Sequence, residues 1–125
     1  MPVYRSMYLY DHAAVDFADA NNNSLRNYYG SRAIDNVLID VDREQNTDDF
    51  TLRKCQGLVY QMTKELDLQE HSFRVFFSGS GYHIVIPNSV FNFTPSEELP
   101  FHVKETMVKL FPDIDAMVYM RTGLY

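Results

Sequence analysis

The chain has 125 residues, of which 46% are hydrophobic and 14% aromatic, so it suits one domain with a real core and is too short for two. Its net charge of -6 argues against a domain that grips nucleic acid through a broadly basic face, although carboxylates loaded with metal ions attract phosphate. Cys55 is the only cysteine, which excludes an intrachain disulfide or a zinc site built on paired cysteines and favours a reducing cytoplasm. The sequence has no export-signal pattern and no apolar run of the ~18 residues that a membrane span needs, so we expect no membrane partner.

The first 35 residues give the weakest structural signals. They predict a short strand within residues 4–10, a helix over residues 13–20 and a polar loop from Asn21 to Ser24. No repeat or proline-rich linker divides the chain. We therefore predict a single domain over residues 1–125, with residues 1–35 as an N-terminal segment and residues 36–125 as the core.

The clearest strand signal is the apolar run at residues 37–39, which is followed by Asp40, Val41 and Asp42. An unbroken apolar run predicts a buried, central strand with an acidic end. Thr47 then predicts the cap of a helix whose apolar residues recur at spacings of three and four, so that one face packs on a sheet. These apolar positions are Leu52, Cys55, Val59, Met62 and Leu66.

The second half of the chain predicts a hairpin, a helix and a strand. Residues 73–77 and 82–86 are strand-like and flank the turn Ser78-Gly79-Ser80-Gly81. A helix is predicted after residues 95–98 and before Pro112, and a last strand over residues 114–120. The order of elements predicts an α+β fold, in which helices pack on one face of an antiparallel or mixed sheet as in RRM-like folds.

Asp40 and Asp42 are the first candidate site. Residues two apart on a strand share a face, with Cα atoms roughly 6.5–7 Å apart. Mg²⁺ and Mn²⁺ prefer oxygen ligands, and two such ions roughly 3.5–4 Å apart can activate an attacking hydroxyl and stabilise a leaving oxygen in phosphoryl transfer. Acids at a strand end are also ordinary turn chemistry, which is the better explanation of this pair when it is considered alone.

Two further clusters change that assessment. The turn of residues 78–81 can expose backbone N–H groups to an anion, and His83 can contact a phosphate oxygen, although a hydrogen-bonded histidine beside a simple hairpin explains the same residues. Asp113 and Asp115 are two residues apart, so in a strand their side chains would point to the same face. The alternation of side chains therefore does not decide which of them would complete a carboxylate triad. A turn after Pro112 is their structural explanation.

In this order, the motifs resemble those of the archaeo-eukaryotic primase superfamily, and most closely the primases or primase-polymerases of phages and large DNA viruses. The family's hhhDhD motif is matched by residues 37–42, its SGxGxH motif by residues 78–83, and its hD motif by Ile114 and Asp115. The resemblance selects Asp115 over Asp113 and implies a primase catalytic core with an RRM-like sheet.

The resemblance also implies an activity and its residues. The activity is template-directed polymerisation of nucleotides in DNA replication by a two-metal mechanism. Asp40, Asp42 and Asp115 would be catalytic and bind Mg²⁺ or Mn²⁺, and no zinc is expected. The incoming triphosphate would be contacted by the remaining candidates, which are Ser78, Gly79, Ser80, Gly81 and His83.

The implied partners are nucleoside triphosphates, a single-stranded DNA template and a replicative helicase domain or protein. The implied location is the cytoplasm, which is that of the host if the protein is phage-encoded. Family members continue beyond the third motif with a further arginine and a small polar residue, whereas this chain ends at Tyr125. We therefore expect a C-terminally truncated catalytic core, and we leave open whether it is active alone.

Two other functions fit part of the pattern. A HAD-like phosphohydrolase would use Asp40 as a covalent nucleophile, Ser78 after a second strand, and Lys104 or Lys109 with the later acids, but it gives His83 no role. The other alternative is an inactive RRM-like module that stacks aromatic side chains on the bases of a nucleic acid.

Overall fold

The computed structural model describes residues 6–120. Its regular elements are three α-helices, five strands and three short 3-10 turns. In chain order they are β1 (Tyr8–Tyr10), α1 (His12–Ala20), β2 (Arg32–Ile34), β3 (Asn36–Asp42), α2 (Asp48–Lys64), the 3-10 turn Glu70–Ser72, β4 (Arg74–Phe77), β5 (Gly81–Pro87), the 3-10 turn Asn88–Val90, α3 (Leu99–Leu110) and the 3-10 turn Met117–Tyr119.

The larger sheet has three antiparallel strands in the order β3-β5-β4. The hairpin of β4 and β5 was predicted from the glycine-serine turn and is confirmed, with strand bounds within one residue of the prediction. The prediction that β3 is central is wrong, because within residues 6–120 it pairs only with β5. Its outer edge is covered instead, and the Leu38 N–H donates to Met7 Sδ over 3.4 Å.

One face of this sheet forms the core. Val37, Ile39 and Val41 on β3, with Ile84 and Ile86 on β5, expose at most 1% of their surface. Strand alternation places Leu38, Asp40 and Asp42 on the other face. The unbroken apolar run of β3 therefore reflects burial of Leu38 beneath Met7, in addition to the core-facing positions.

Helix α2 packs on the core face, and its cap was predicted: Thr47 Oγ1 accepts a hydrogen bond from Phe50 N at 3.1 Å. Its buried stripe lies slightly off the predicted one. Cys55 and Met62 are buried as expected, whereas Leu52 is 39% exposed, Val59 is half-buried and Leu66 lies beyond the helix end. The other buried positions of α2 are Thr51, one turn before Cys55, and Leu58, between Cys55 and Met62.

Helix α3 confirms the predicted second helix and buries Leu99, Val103 and Met107. The strand predicted over residues 114–120 is wrong, because a turn and the 3-10 segment Met117–Tyr119 occupy those positions. Ile114, Val118 and Tyr119 are buried at helical rather than alternating spacings.

The N-terminal segment forms a two-stranded antiparallel sheet, in which Tyr8 pairs with Ile34. Strand β1 confirms the C-terminal part of the strand predicted within residues 4–10, whose first two residues lie outside the described part. Helix α1 and the asparagine loop were also predicted, and Asn22 and Asn23 adopt positive φ there. A hydrogen bond of 2.6 Å from Tyr8 Oη to the Tyr119 carbonyl joins this segment to the end of the core.

These elements make an α+β protein with two small antiparallel sheets and three helices, which confirms the predicted fold class at that level. None of the helices in residues 6–120 has the length and apolar character required to cross a membrane.

Candidate functional site

Asp40 and His83 lie directly opposite each other on β3 and β5. Asp40 Oδ1 is 3.4 Å from His83 Nε2, and the two side chains are 30% and 27% exposed, so a ligand can reach both. The Arg43 N–H donates to the Ser80 carbonyl, so these two residues form a hydrogen-bonded pair of the ladder. Hydrogen-bonded and non-hydrogen-bonded pairs alternate along antiparallel strands, which makes Asp40 and His83, three positions away, a non-hydrogen-bonded pair. In such a pair the side chains lie especially close together, with Cα atoms about 4.5 Å apart.

Asp42 lies on the same face, opposite Gly81, and is exposed. A Cβ atom on Gly81 would lie 2.0 Å from the carbonyl oxygen of Val41, so this position requires glycine for the close approach of β3 and β5. Gly79 adopts a φ of +97°, which L side chains rarely adopt. Backbone geometry therefore explains why glycine occupies both positions of the second motif, without any role in phosphate binding.

The turn itself is exposed at Ser78, Gly79 and Ser80. The Ser78 N–H donates to the Gly81 carbonyl at 2.8 Å, so that amide contributes to the hairpin and not to an anion site. Ser78 lies on the far side of β5 from Asp42, roughly 10 Å away as two strand spacings. The turn and the two acids thus flank the same end of β5.

Asp115 lies on the turn that precedes Met117–Tyr119, and its Oδ1 accepts a hydrogen bond from Met117 N at 2.9 Å. Its carboxylate acts electrostatically on Asp40. The pKa of Asp40 is raised chiefly by burial, is lowered by His83, and is raised further by the neighbouring carboxylates of Asp42 and Asp115. Asp42 and Asp115 thus both lie within electrostatic range of Asp40. Asp115 is held there by a turn and not by the predicted strand.

Tyr119 is a site residue to which sequence reasoning assigned no role. It is fully buried, and its hydroxyl has no hydrogen-bond partner in residues 6–120. Burial raises its pKa, and Tyr8, Asp115 and Asp40 raise it further. A buried hydroxyl without a partner is uncommon in proteins, and the electrostatic influence of Asp115 and Asp40 makes Tyr119 a neighbour of the acidic cluster. Only its position after the third motif could have indicated this.

The open face continues onto β4. Phe76 pairs in register with His83, so its ring lies on the same face as Asp40 and His83, and half of its surface is exposed. Arg74 lies two residues earlier on that face and is exposed. An aromatic ring and a guanidinium group on β4 thus extend this face beyond His83, across β5 from the two acids of β3.

The carboxylates do not form a closed metal cage. Nowhere in the described range do three His, Cys, Asp or Glu side chains come close enough to constitute a metal-binding group by themselves. The donor chemistry nevertheless suits a hard divalent cation, because carboxylate oxygens are its preferred ligands and substrate phosphates commonly complete such sites. A bound cation would relieve the repulsion that the carboxylates of Asp42 and Asp115 exert on Asp40.

Comparisons of this chain with protein-family models, with curated proteins and with solved structures found no match.

Proposed function

We propose that the chain is the catalytic core of a primase-type nucleotidyltransferase with an RRM-like sheet, which adds nucleotides to a growing strand on a DNA template. The observation that carries the proposal is the cross-strand pair of Asp40 and His83. This pair brings together the acidic motif of residues 37–42 and the glycine-histidine motif of residues 78–83, which are separated in sequence by the whole of helix α2.

In this proposal Asp40, Asp42 and Asp115 hold Mg²⁺ or Mn²⁺. When bound, such ions polarise the attacking hydroxyl and neutralise the leaving pyrophosphate during in-line displacement at the α-phosphorus. Asp40 and Asp42 are fixed by β3, and Asp115 is held by its hydrogen bond to Met117 N. Because Asp115 lies on a turn, it can adjust toward the other two acids when cations and phosphates arrive.

His83 supplies the contact to the triphosphate. Its imidazole lies beside Asp40 on the open face, where a ring nitrogen can meet a phosphate oxygen. The exposed hydroxyls of Ser78 and Ser80 flank the end of β5 and can add donors. Tyr119 lies within electrostatic range of Asp40 and Asp115, so its buried hydroxyl would influence nucleotide binding through these acids.

Phe76 is positioned for the bases. Its exposed ring shares the face of His83, and aromatic side chains of this kind stack on single-stranded nucleic acid without regard to sequence. Arg74 on the same face supplies positive charge that the chain as a whole lacks. Template binding is therefore local to this face and does not need a basic protein surface.

The phosphohydrolase alternative is less well supported. Its serine would have to meet the substrate together with Asp40, yet Ser78 lies across β5 from the acidic strand, roughly 10 Å from Asp42. It also leaves the pairing of Asp40 with His83 without a function. No observation favours it over nucleotidyl transfer.

The test is metal-dependent incorporation of labelled nucleotide on a primed and an unprimed single-stranded template. The wild type is compared with Asp40→Asn, Asp115→Asn and the neighbouring control Asp113→Asn. We expect product that requires Mn²⁺ or Mg²⁺ and falls at least about 100-fold in the Asp40 and Asp115 variants only. Absence of product would favour the inactive RRM-like module. Phosphate release from a phosphomonoester that Asp40→Asn abolishes would favour the phosphohydrolase.

A further inference from the structure

A cavity outside the acidic face lies between the loop that precedes β2 and the start of α3, and none of the predicted acids lines it. Its volume of about 680 Å³ falls within the range of roughly 300–1,000 Å³ typical of small-molecule sites. Its walls are mainly aromatic and apolar, formed by Leu25, Tyr28, Tyr29, Pro100 and Phe101. This composition suits a planar ring.

Arg32 lines the same cavity and is 5% exposed. Its Nη2 donates to the Tyr28 carbonyl, and its guanidinium carbon lies 5.4 Å from the Tyr10 ring centre and 5.8 Å from that of Tyr28. Its Nε has no hydrogen-bond partner in residues 6–120. No ion pair joins Arg32 to a carboxylate among the described residues.

A buried cation without a carboxylate partner is costly unless something compensates it. The two tyrosine rings supply part of that compensation, and an anion in the cavity would supply the rest through the guanidinium donors. Arg26, which also lines the cavity, adds a second positive charge. The site therefore favours an oxyanion attached to a ring.

Glu97 and Glu98 set a limit on the charge of that anion. Both line the cavity and are exposed, and Glu98 is 3.7 Å from His102. Carboxylates at this rim repel extended polyanions but can accept hydrogen bonds from hydroxyl groups. They therefore select a ligand with one anionic group and a hydroxylated linker.

We propose that this cavity binds a nucleoside monophosphate or a ligand of the same chemistry, with the ring between Tyr29 and Phe101 and the phosphate at Arg32. The site is separate from the proposed catalytic acids and needs no metal ion. It would respond to monophosphates, whereas the catalytic face would take metal-bound triphosphates.

The test is calorimetric titration of the full chain with AMP, ATP, adenosine and inorganic phosphate, all in EDTA. The NMR signal of the Arg32 Nε–H is followed in parallel. We expect AMP to bind most tightly and to shift that signal, and we expect adenosine, phosphate and ATP each to bind more weakly. Tyr29→Ala and Phe101→Ala, at positions 76% and 63% exposed, should weaken AMP by about five- to tenfold.

Tyr60→Ala and Phe50→Ala are the matched controls, since these aromatic residues are 64% and 54% exposed and lie outside the cavity. Arg32→Lys keeps the charge but loses the fork of donors, so it should also weaken AMP. If that variant does not fold, the two exposed aromatic positions still decide the question. The proposal is overturned if AMP does not bind, if phosphate alone or ATP binds as tightly, or if Asp40→Asn or His83→Ala abolishes AMP binding while Tyr29→Ala does not.

Discussion

Asp40 and His83 face each other across two antiparallel strands with 3.4 Å between Oδ1 and Nε2, although a helix of 17 residues lies between them in sequence. Both side chains are partly buried, and the carboxylates of Asp42 and Asp115 raise the pKa of Asp40. Such a concentration of acidic charge beside an accessible imidazole costs stability. It therefore leads to predictions about the folded protein as well as about its activity.

The first prediction concerns the charge on Asp40. Because its pKa in the folded protein is raised, the folded state binds its proton more tightly than the unfolded state does. Its contribution to stability is greatest when the carboxyl is protonated, and it declines as pH rises from the unfolded pKa of about 3.9 through the raised folded value. We expect Asp40→Asn to stabilise the metal-free protein near neutral pH by up to about 1 kcal/mol.

Thermal unfolding of both proteins between acidic and neutral pH, in EDTA, measures this effect. The stability advantage of Asp40→Asn should grow with pH across the acidic range and then level off. Asp35→Asn, at an exposed position just before the first residue of β3 and outside the acidic cluster, serves as the control. A variant at Asp40 that loses stability as pH rises relative to the wild type would contradict the electrostatic account.

The second prediction compares two buried tyrosines. The Tyr8 hydroxyl donates to the Tyr119 carbonyl at 2.6 Å, whereas the Tyr119 hydroxyl has no partner in the described residues. Tyr8→Phe should lower the free energy of unfolding by about 1–2 kcal/mol, because it leaves a buried carbonyl unpaired. Tyr119→Phe should be neutral or slightly stabilising, yet reduce metal-dependent nucleotide binding. Urea denaturation of the two variants would refute this comparison if Tyr119→Phe proved the more damaging.

The third prediction uses the glycines. Gly81→Ala should destabilise the protein by about 3 kcal/mol, since its Cβ would lie 2.0 Å from the Val41 carbonyl oxygen. Gly57→Ala is the reverse case, because this exposed position in α2 has nothing within 4 Å of the new Cβ. It should stabilise the helix by about 0.5–1 kcal/mol. Equal effects of the two substitutions on the urea midpoint would show that β3 and β5 do not approach as described.

The fourth prediction separates two neighbouring aromatic rings on β4. Phe76 is on the face of His83, whereas Phe77 is on the opposite face and packs edge-on to Tyr82 with ring centres 5.7 Å apart. Phe76→Ala should weaken binding of a fluorescent single-stranded oligonucleotide by about 1–3 kcal/mol, the usual range for one stacked base. Phe77→Ala, at an even more exposed position, is the control and should leave this affinity nearly unchanged.

Much of the local structure could be predicted from the sequence, because strong local signals determine it. Thr47 caps α2 through its own side chain, and the turn at Gly79 needs a backbone conformation that favours glycine. The error at residues 114–120 has a local cause of another kind: the Asp115 side chain bonds to Met117 N and favours a turn over an extended strand. An apolar run alone does not distinguish these outcomes.

The candidate site was less predictable, because it depends on register and on long-range contacts. No pattern within β3 or β5 specifies that Asp40 faces His83, since a shift of one residue would place them on opposite faces. The cavity around Arg32 could not be found from motifs, and Tyr119 could be indicated only by its position after the third motif. Both are created where the N-terminal segment meets the end of the core, as in the hydrogen bond from Tyr8 to the Tyr119 carbonyl.

The central claim is that the face formed by Asp40, Asp42, Asp115 and His83 binds a nucleoside triphosphate together with a divalent cation. Calorimetric titration with a nucleoside triphosphate in the presence of Mn²⁺, for the wild type, Asp40→Asn, His83→Ala and the control Asp113→Asn, tests it most directly. We expect metal-dependent binding by the wild type and by Asp113→Asn, and binding at least about tenfold weaker for Asp40→Asn and His83→Ala. Equal affinity in all four proteins, or affinity that does not change when the metal is removed, would contradict the claim.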